Sequence, residues 1–309
     1  MEHFLTIDDF DPGLLRQMLE QSHALQESPE PVLKSKNVLF VFEKPSLRTR
    51  TGTEVAINHL GGNVLHVEPG IMLGTKIHLG FGLRETLGDT MQNVSQWCDA
   101  VFARVFRHDT LLRMGEYSDI PIVNALCDQH HPMQAMADIY TIREEFGPDR
   151  PVTVTFVGDA NNVARSLIEI GLKFGYEMRF SGPEAFSWGE ERTNRFHELA
   201  TLHGGSFFQT HQPEEAVKGA DVVYTDTFIS MGEEEEMDEK MRHFEIYRVD
   251  KELFSHAGES AIFMHCLPAH RGVEVTDEVI DHPRSRVYRQ AKNRMIVSKG
   301  IFATLLCGT

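Results

Sequence analysis

The sequence predicts an α/β fold of two domains, each a mostly parallel sheet flanked by helices. Three observations carry this. From about residue 37 onward, short apolar runs alternate with longer amphipathic stretches, the pattern of strands covered by helices on both faces. The alternation falls into two series, parted by the turn-forming run Gly147-Pro148-Asp149-Arg150-Pro151. The length, 309 residues, suits two ordinary domains at roughly 100–200 residues each.

In the first series, Asn37-Val38-Leu39-Phe40-Val41-Phe42 is a continuous apolar run and reads as a buried strand. Thr53 to Leu60 reads as helix, stopped by Gly61-Gly62. Residues 100–105 and 120–126 are two further strand candidates. Met133 to Phe146 is a helix: Met133, Met136, Ala137 and Tyr140 keep roughly helical spacing, and Gly147-Pro148 ends it. The second series opens with the β-branched run Val152 to Val157, followed by a helix from about Asn162 to Phe174. Strand candidates follow at 177–180, 206–209, 221–224 and 261–264. An amphipathic helix over about Gln290 to Leu306 closes the chain.

Composition narrows the function. With 41% hydrophobic and 25% charged residues the chain has an ordinary globular make-up and length enough for a sizeable core. Its 30 Lys and Arg stand against 46 Asp and Glu, a formal charge of −16. Protonating all 16 histidines would only bring that to zero. General attraction to nucleic acid or to an anionic membrane is therefore not expected. Any bound anion must be held by a local cluster of donors. No apolar run approaches the ~18–20 residues of a membrane span. The acidic start lacks the features of a signal or transit peptide. The four cysteines, Cys98, Cys127, Cys266 and Cys307, show no CxxC spacing, so neither a disulfide framework nor a structural zinc site is expected. A cytoplasmic, reduced protein without metal is the reading.

Polar clusters gather where strands end, the place where open α/β sheets bind ligands. After the first strand come Ser46-Leu47-Arg48-Thr49-Arg50. Two hydroxyls, two guanidiniums and the free N–H groups of a new helix make an oxyanion site. It is neither a phosphate-cradling P-loop nor a dinucleotide fingerprint. Arg104 lies within an apolar run and needs either a carboxylate or a bound anion as partner. His131-Pro132-Met133-Gln134 opens a helix, so His131 can donate to a carbonyl oxygen, with Gln134 one turn on. In the second series, Gly158 to Asn162, Asp226 and His265-Cys266-Leu267-Pro268 stand at strand tips. A carboxylate and a thiol there can flank an amine; the plainer alternative is that Cys266 is a small buried hydrophobe.

The combination resembles the aspartate/ornithine carbamoyltransferase family, and within it the ornithine branch. The family's S-T-R-T-R loop corresponds to Ser46 to Arg50, and its H-P-x-Q to His131 to Gln134. D-x-x-x-S-M-G corresponds to Asp226 to Gly232, H-C-L-P to His265 to Pro268, and E-N-R to Lys292-Asn293-Arg294. The resemblance runs from near residue 3 to near residue 306. It implies that carbamoyl phosphate is held by Ser46, Leu47, Arg48, Thr49, Arg104, His131, Gln134, Leu267 and Arg294. Ornithine falls to Asn162, Asp226, Ser230, Met231, Cys266 and Leu267. The catalytic groups it implies are Arg48, Arg104, His131 and Cys266, with no metal and no organic cofactor. It further implies a carbamoyl phosphate domain over residues 1–133 and 289–309, with the last helix returning to it, and an ornithine domain over 134–288. The assembly it implies is a homotrimer or a multiple of trimers, with His78 reaching the neighbouring subunit's site.

Three departures stand out. Leu47 replaces the usual Thr, leaving only a backbone N–H for phosphate. Lys292 replaces the usual Glu. The stretch Glu68 to Glu85 is longer than the family's loop. Two alternatives therefore stay open at the level of sequence: a carbamoyltransferase for another amine, and a catalytically inactive regulator that binds phosphate metabolites. A nicotinamide oxidoreductase fits the alternation but lacks the glycine fingerprint.

Overall fold

A computed structural model of the chain describes residues 3–73, 85–228 and 237–308. His78, Ser230, Met231 and the acidic run at 233–236 lie outside the described residues, as does most of the long stretch after Glu68. The chain divides into two compact units, Met1–Ala137 with Lys292–Thr309, and Asp138–Ala291.

The first unit contains α1 (Pro12–Glu27), β1 (Asn37–Phe42), α2 (Leu47–His59), β2 (Asn63–Val67), α3 (Pro69–Met72), α4 (Leu87–Trp97), β3 (Ala100–Arg104), α5 (His108–Glu116) and β4 (Ile122–Leu126). Helix α6 (Pro132–Phe146) carries the chain into the second unit. There follow β5 (Thr153–Val157), α7 (Asn162–Lys173), β6 (Glu177–Ser181), α8 (Glu190–His203), β7 (Ser206–Thr210), α9 (Pro213–Val217), β8 (Val222–Thr225), α10 (Met237–Phe244), α11 (Lys251–Ser255), β9 (Ile262–His265) and α12 (Asp277–Ile280). Helix α13 (Val287–Cys307) begins in the second unit and ends in the first.

Both sheets are parallel throughout, in the orders β2-β1-β3-β4 and β7-β6-β5-β8-β9. Each order reverses once, between β1 and β3 and between β5 and β8. In such sheets the crevice beyond the carboxyl ends of those two strands is the natural ligand site. The predicted fold class is therefore what the chain adopts. The first core includes Val41, Val101, Ala103 and Ile122; the second includes Val157, Val223, Phe263 and Val287. In the first unit α13 lies tightly on α1, where a Cβ on Gly300 would collide with the Met18 carbonyl and with Ser22. Glycine inside a helix costs about 1 kcal/mol relative to alanine, and here that cost permits close approach.

Several features differ from the sequence reading. Helix α2 begins at Leu47 rather than Thr53, because Ser46 caps it and Thr53 bonds Ser298 of α13 at 3.2 Å. The Thr-rich, Gly-containing start is a poor helix former on propensity alone. Strand β2 and helices α1, α4 and α5 have no counterpart in that reading. β2 is an edge strand with none of its residues buried, so it lacks the apolar run that marks β1. α4 buries only Thr90, Met91 and Val94, and its Trp97 is exposed.

Candidate active site

In the first unit, β1 ends at Phe42 and Ser46 then caps α2. Its Oγ accepts from the Thr49 backbone N–H at 3.4 Å and from Arg104 Nη1 at 3.3 Å. Arg104 is the last residue of β3 and is 6% exposed. The β3–β4 register shifts between Ala103 and Arg104, an irregularity of the kind that re-aims side chains beside functional sites. Arg294, on α13, donates from Nη2 to Thr49 Oγ1 at 2.6 Å. The local sequence thus gathers two buried guanidiniums, two hydroxyls and a helix N-terminus, with half-buried Arg48 in the first turn. Such an arrangement suits an anion, in a strongly acidic chain.

His131 precedes the first residue of α6 and is buried, as is Gln134. Burial, reinforced by the charges of Arg294 and Arg104, holds the imidazole pKa well below its usual 6.5. His131 is therefore neutral at pH 7, and one ring nitrogen can donate to a carbonyl oxygen while the other stays unprotonated. The turn before it is braced by Cys127, whose N–H donates to the His130 carbonyl at 3.0 Å and whose Sγ lies 3.4 Å from His108 Nδ1. Leu47 is 77% exposed, so its side chain adds nothing to this cluster. Lys292 is exposed as well.

The second unit builds a different chemistry on the same plan. Asn161, at the end of β5, caps α7: its Oδ1 accepts from the N–H groups of Val163 and Ala164, each at 3.0 Å. Its Nδ2 donates to Asp226 Oδ2 at 3.0 Å. Asp226 follows β8, and its Oδ1 accepts from Cys266 Sγ at 2.9 Å. Both are buried. Asn162, the first residue of α7, stands half-buried beside Asn161. Cys266 follows β9, and Leu267 after it has φ +57°, the left-handed region that few residues other than glycine adopt. The Leu267 N–H donates to His265 Nδ1 at 2.8 Å, which places the ring proton on Nε2, 3.1 Å from Glu274 Oε1. His270 N–H adds a 2.6 Å bond to the same oxygen. Tyr224, two residues before Asp226, is buried. Burial and the neighbouring Asp138, Cys266 and Asp226 push its hydroxyl pKa well above 10.

The structure thus brings together Ser46, Thr49, Arg104, His131 and Arg294 in one cluster, and Asp226 with Cys266 in another. Sequence reasoning set Asn161 at a strand tip without giving it a partner, and passed over Glu274, Gln290 and Asp138. Glu274 lies nine residues beyond His265 in a loop without a motif, and no local pattern marks it. Asp226, His265 and Cys266 offer one donor atom each within 4.8 Å of one another, the one such group among the described residues. Both His265 nitrogens are committed to Leu267 and Glu274, so the set does not suit a metal. No helix among the described residues is long and apolar enough to cross a membrane.

Similarity to known proteins now has a structural frame. Residues 2–144 match the domain described as aspartate/ornithine carbamoyltransferase, carbamoyl-P binding domain, and residues 150–305 match the Asp/Orn binding domain of the same family. The chain is 42% identical to an ornithine carbamoyltransferase of Pyrobaculum calidifontis, covering 99% of each chain. It is 40% identical to a catabolic ornithine carbamoyltransferase of Halobacterium salinarum, again over 99% of each. The crystal structure of ornithine carbamoyltransferase from Pyrococcus furiosus superposes with a TM-score of 0.92 at 39% identity, covering 100% of this chain and 98% of that one. With both domains matched in order along the whole chain, this protein belongs to the aspartate/ornithine carbamoyltransferase family.

Proposed function

We propose that this chain transfers the carbamoyl group of carbamoyl phosphate to the δ-amine of L-ornithine, giving L-citrulline and phosphate. The observation that carries the reading is the buried Cys266–Asp226 pair, 2.9 Å apart, in a chain that also holds a cationic strand-end cluster. An acyl phosphate needs the second and an attacking amine is suited by the first. The full-length relatives named for ornithine support that acceptor.

A domain over 1–133 with 289–309 holds carbamoyl phosphate, and one over 134–288 holds ornithine. Ser46, Arg48, Thr49, Arg294 and the N–H groups of α2, that of Leu47 included, neutralise the leaving phosphate. Arg104 and neutral His131 donate to the carbamoyl oxygen as it becomes an oxyanion, and Gln134 and the Leu267 backbone orient the carbamoyl group. Asn162, Ser230 and Met231 hold the ornithine backbone, while Asp226 and Cys266 orient its amine. A free alkylamine is largely protonated at pH 7, so it must give up a proton before it attacks, and Cys266 influences that protonation state. The neutral amine nitrogen bonds to the carbamoyl carbon, the carbon–oxygen bond breaks with its electron pair going to phosphate, and the departing phosphate takes the amine proton. No covalent enzyme intermediate is needed: the protein supplies position and charge stabilisation.

Family resemblance supports a homotrimer or a multiple of trimers, His78 in the neighbouring subunit's site, and a place in cytoplasmic arginine metabolism. The test is citrulline formation from carbamoyl phosphate with L-ornithine, putrescine, N-acetylornithine and aspartate in competition. Preference for ornithine is expected. Turnover of another amine alone would keep the phosphate half of the reading and discard the acceptor half.

A further inference from the structure

The strand end that carries Cys266 is held from behind by a polar hub that none of the roles above uses. Gln290, on α13, is 0% exposed, as are Asp138, Tyr224 and His265. Its Oε1 accepts from the His265 backbone N–H at 3.0 Å. Its Nε2 donates to Asp138 Oδ1 at 2.7 Å and to the Tyr224 hydroxyl at 3.0 Å. One side-chain amide thereby uses both donors and an acceptor in a place water does not reach.

The positions of those partners matter. β9 is the last strand of its sheet, so its outward N–H groups need partners from elsewhere. The Phe263 N–H finds the Arg284 carbonyl and the His265 N–H finds Gln290. His265 immediately precedes the thiol, and Tyr224, in the neighbouring strand, stands two residues before the carboxylate. Thr225 and His265 are paired across the two strands. Asp138 and Gln290 belong to α6 and α13, the helices along which the chain passes between its two units. The best-attested use of a buried polar network is to fix a register.

We propose that Gln290, oriented by Asp138, is a positioning residue for the transfer reaction: it fixes the end of β9 against β8 and so the approach of Cys266 Sγ to Asp226 Oδ1. The inference rests on the role given to that pair under the proposed function.

Gln290→Glu keeps an acceptor for His265 but turns a second carboxylate oxygen toward Asp138. The double variant Asp138→Asn with Gln290→Glu restores a donor–acceptor pair in the reverse sense. In the intact enzyme, Gln290→Glu should lower kcat about tenfold to a hundredfold, the scale of a misplaced reacting group, and raise the ornithine KM. The carbamoyl phosphate KM should stay within about twofold, and the double variant should recover most of the loss. Gln290→Met, which removes all three bonds, should move the same parameters in the same direction and serves if the glutamate variant does not fold. A second readout needs no turnover: the rate at which iodoacetamide alkylates Cys266, followed by peptide mass spectrometry, should change in Gln290→Glu and return in the double variant. Folded Gln290 variants with wild-type kcat, ornithine KM and alkylation rate would overturn the proposal. So would a double variant that regains wild-type Tm but not turnover. If the unmodified enzyme forms no citrulline, the acceptor reading fails, and the alkylation rates still decide the role of Gln290.

Discussion

The strand ends of β1 and β3 in the first unit present Ser46, the capped start of α2 and the buried cation of Arg104. The strand ends of β5 and β8 in the second present Asn161, another helix cap, and the buried carboxylate of Asp226. Both are reversal points of a parallel sheet, and both use an N-capped helix to aim a polar side chain. The sign of the charge is opposite. A shared architecture fixes where ligands sit, and a few side chains at each switch point then decide that one unit suits an anion and the other an amine.

The hardest blow to that contrast is removal of the first unit's charge. Arg104→Met should lower citrulline formation by ~10²–10³, the usual cost of an oxyanion donor, and raise the carbamoyl phosphate KM. Steady-state kinetics with both substrates varied would show it, and an unchanged carbamoyl phosphate KM would break the division of labour.

Next in size is the second unit's thiol. Cys266→Ser should retain turnover while losing about tenfold to a hundredfold in kcat/KM for ornithine, as expected for a group that orients rather than attacks. Complete loss, with a carbamoylated Cys266 trapped in the parent enzyme and found by mass spectrometry, would give the thiol a nucleophile's part.

A subtler contrast is pH dependence. The folded His131 pKa lies well below 6.5, so below that pH the unfolded chain binds the proton and the folded one resists it. The contribution to stability is whole above the unfolded pKa and is lost as pH falls toward the folded one. His131→Gln should accordingly show a shallower fall in Tm than the parent between about pH 7 and 5. Equal slopes in thermal denaturation would contradict the burial argument.

The smallest effect belongs to Leu47. Its side chain is 77% exposed, so Leu47→Thr should change the carbamoyl phosphate KM by no more than about twofold, the ordinary scale of a surface substitution.

The two units also differed in how much their sequence disclosed. The anion cluster is mostly local: Ser46, Arg48 and Thr49 fall in one turn, and Arg104 announces itself as a charge in an apolar strand. Arg104 bonds Ser46 across 58 residues and Arg294 lies 245 residues from the Thr49 it bonds, but the loop and Arg104 each carry a signal of their own. The second unit's site depends on the tips of three strands and on long-range partners. The Cys266–Asp226 contact spans 40 residues and Gln290 reaches Asp138 across 152. Periodicity carries no such information, and neither Glu274 nor Gln290 stands in a chemically suggestive run. In the fold, the buried strands were readable because both faces are covered. The edge strand β2 was not, because none of its residues is buried and Asn63 and His66 interrupt its apolar residues.

The division of labour between the two clusters is tested most directly by calorimetric titration of carbamoyl phosphate into Arg104→Met and Cys266→Ser in the absence of ornithine. The account predicts that Cys266→Ser binds it like the parent enzyme and that Arg104→Met binds it far more weakly. Wild-type binding by Arg104→Met, or loss of binding in Cys266→Ser, would contradict it.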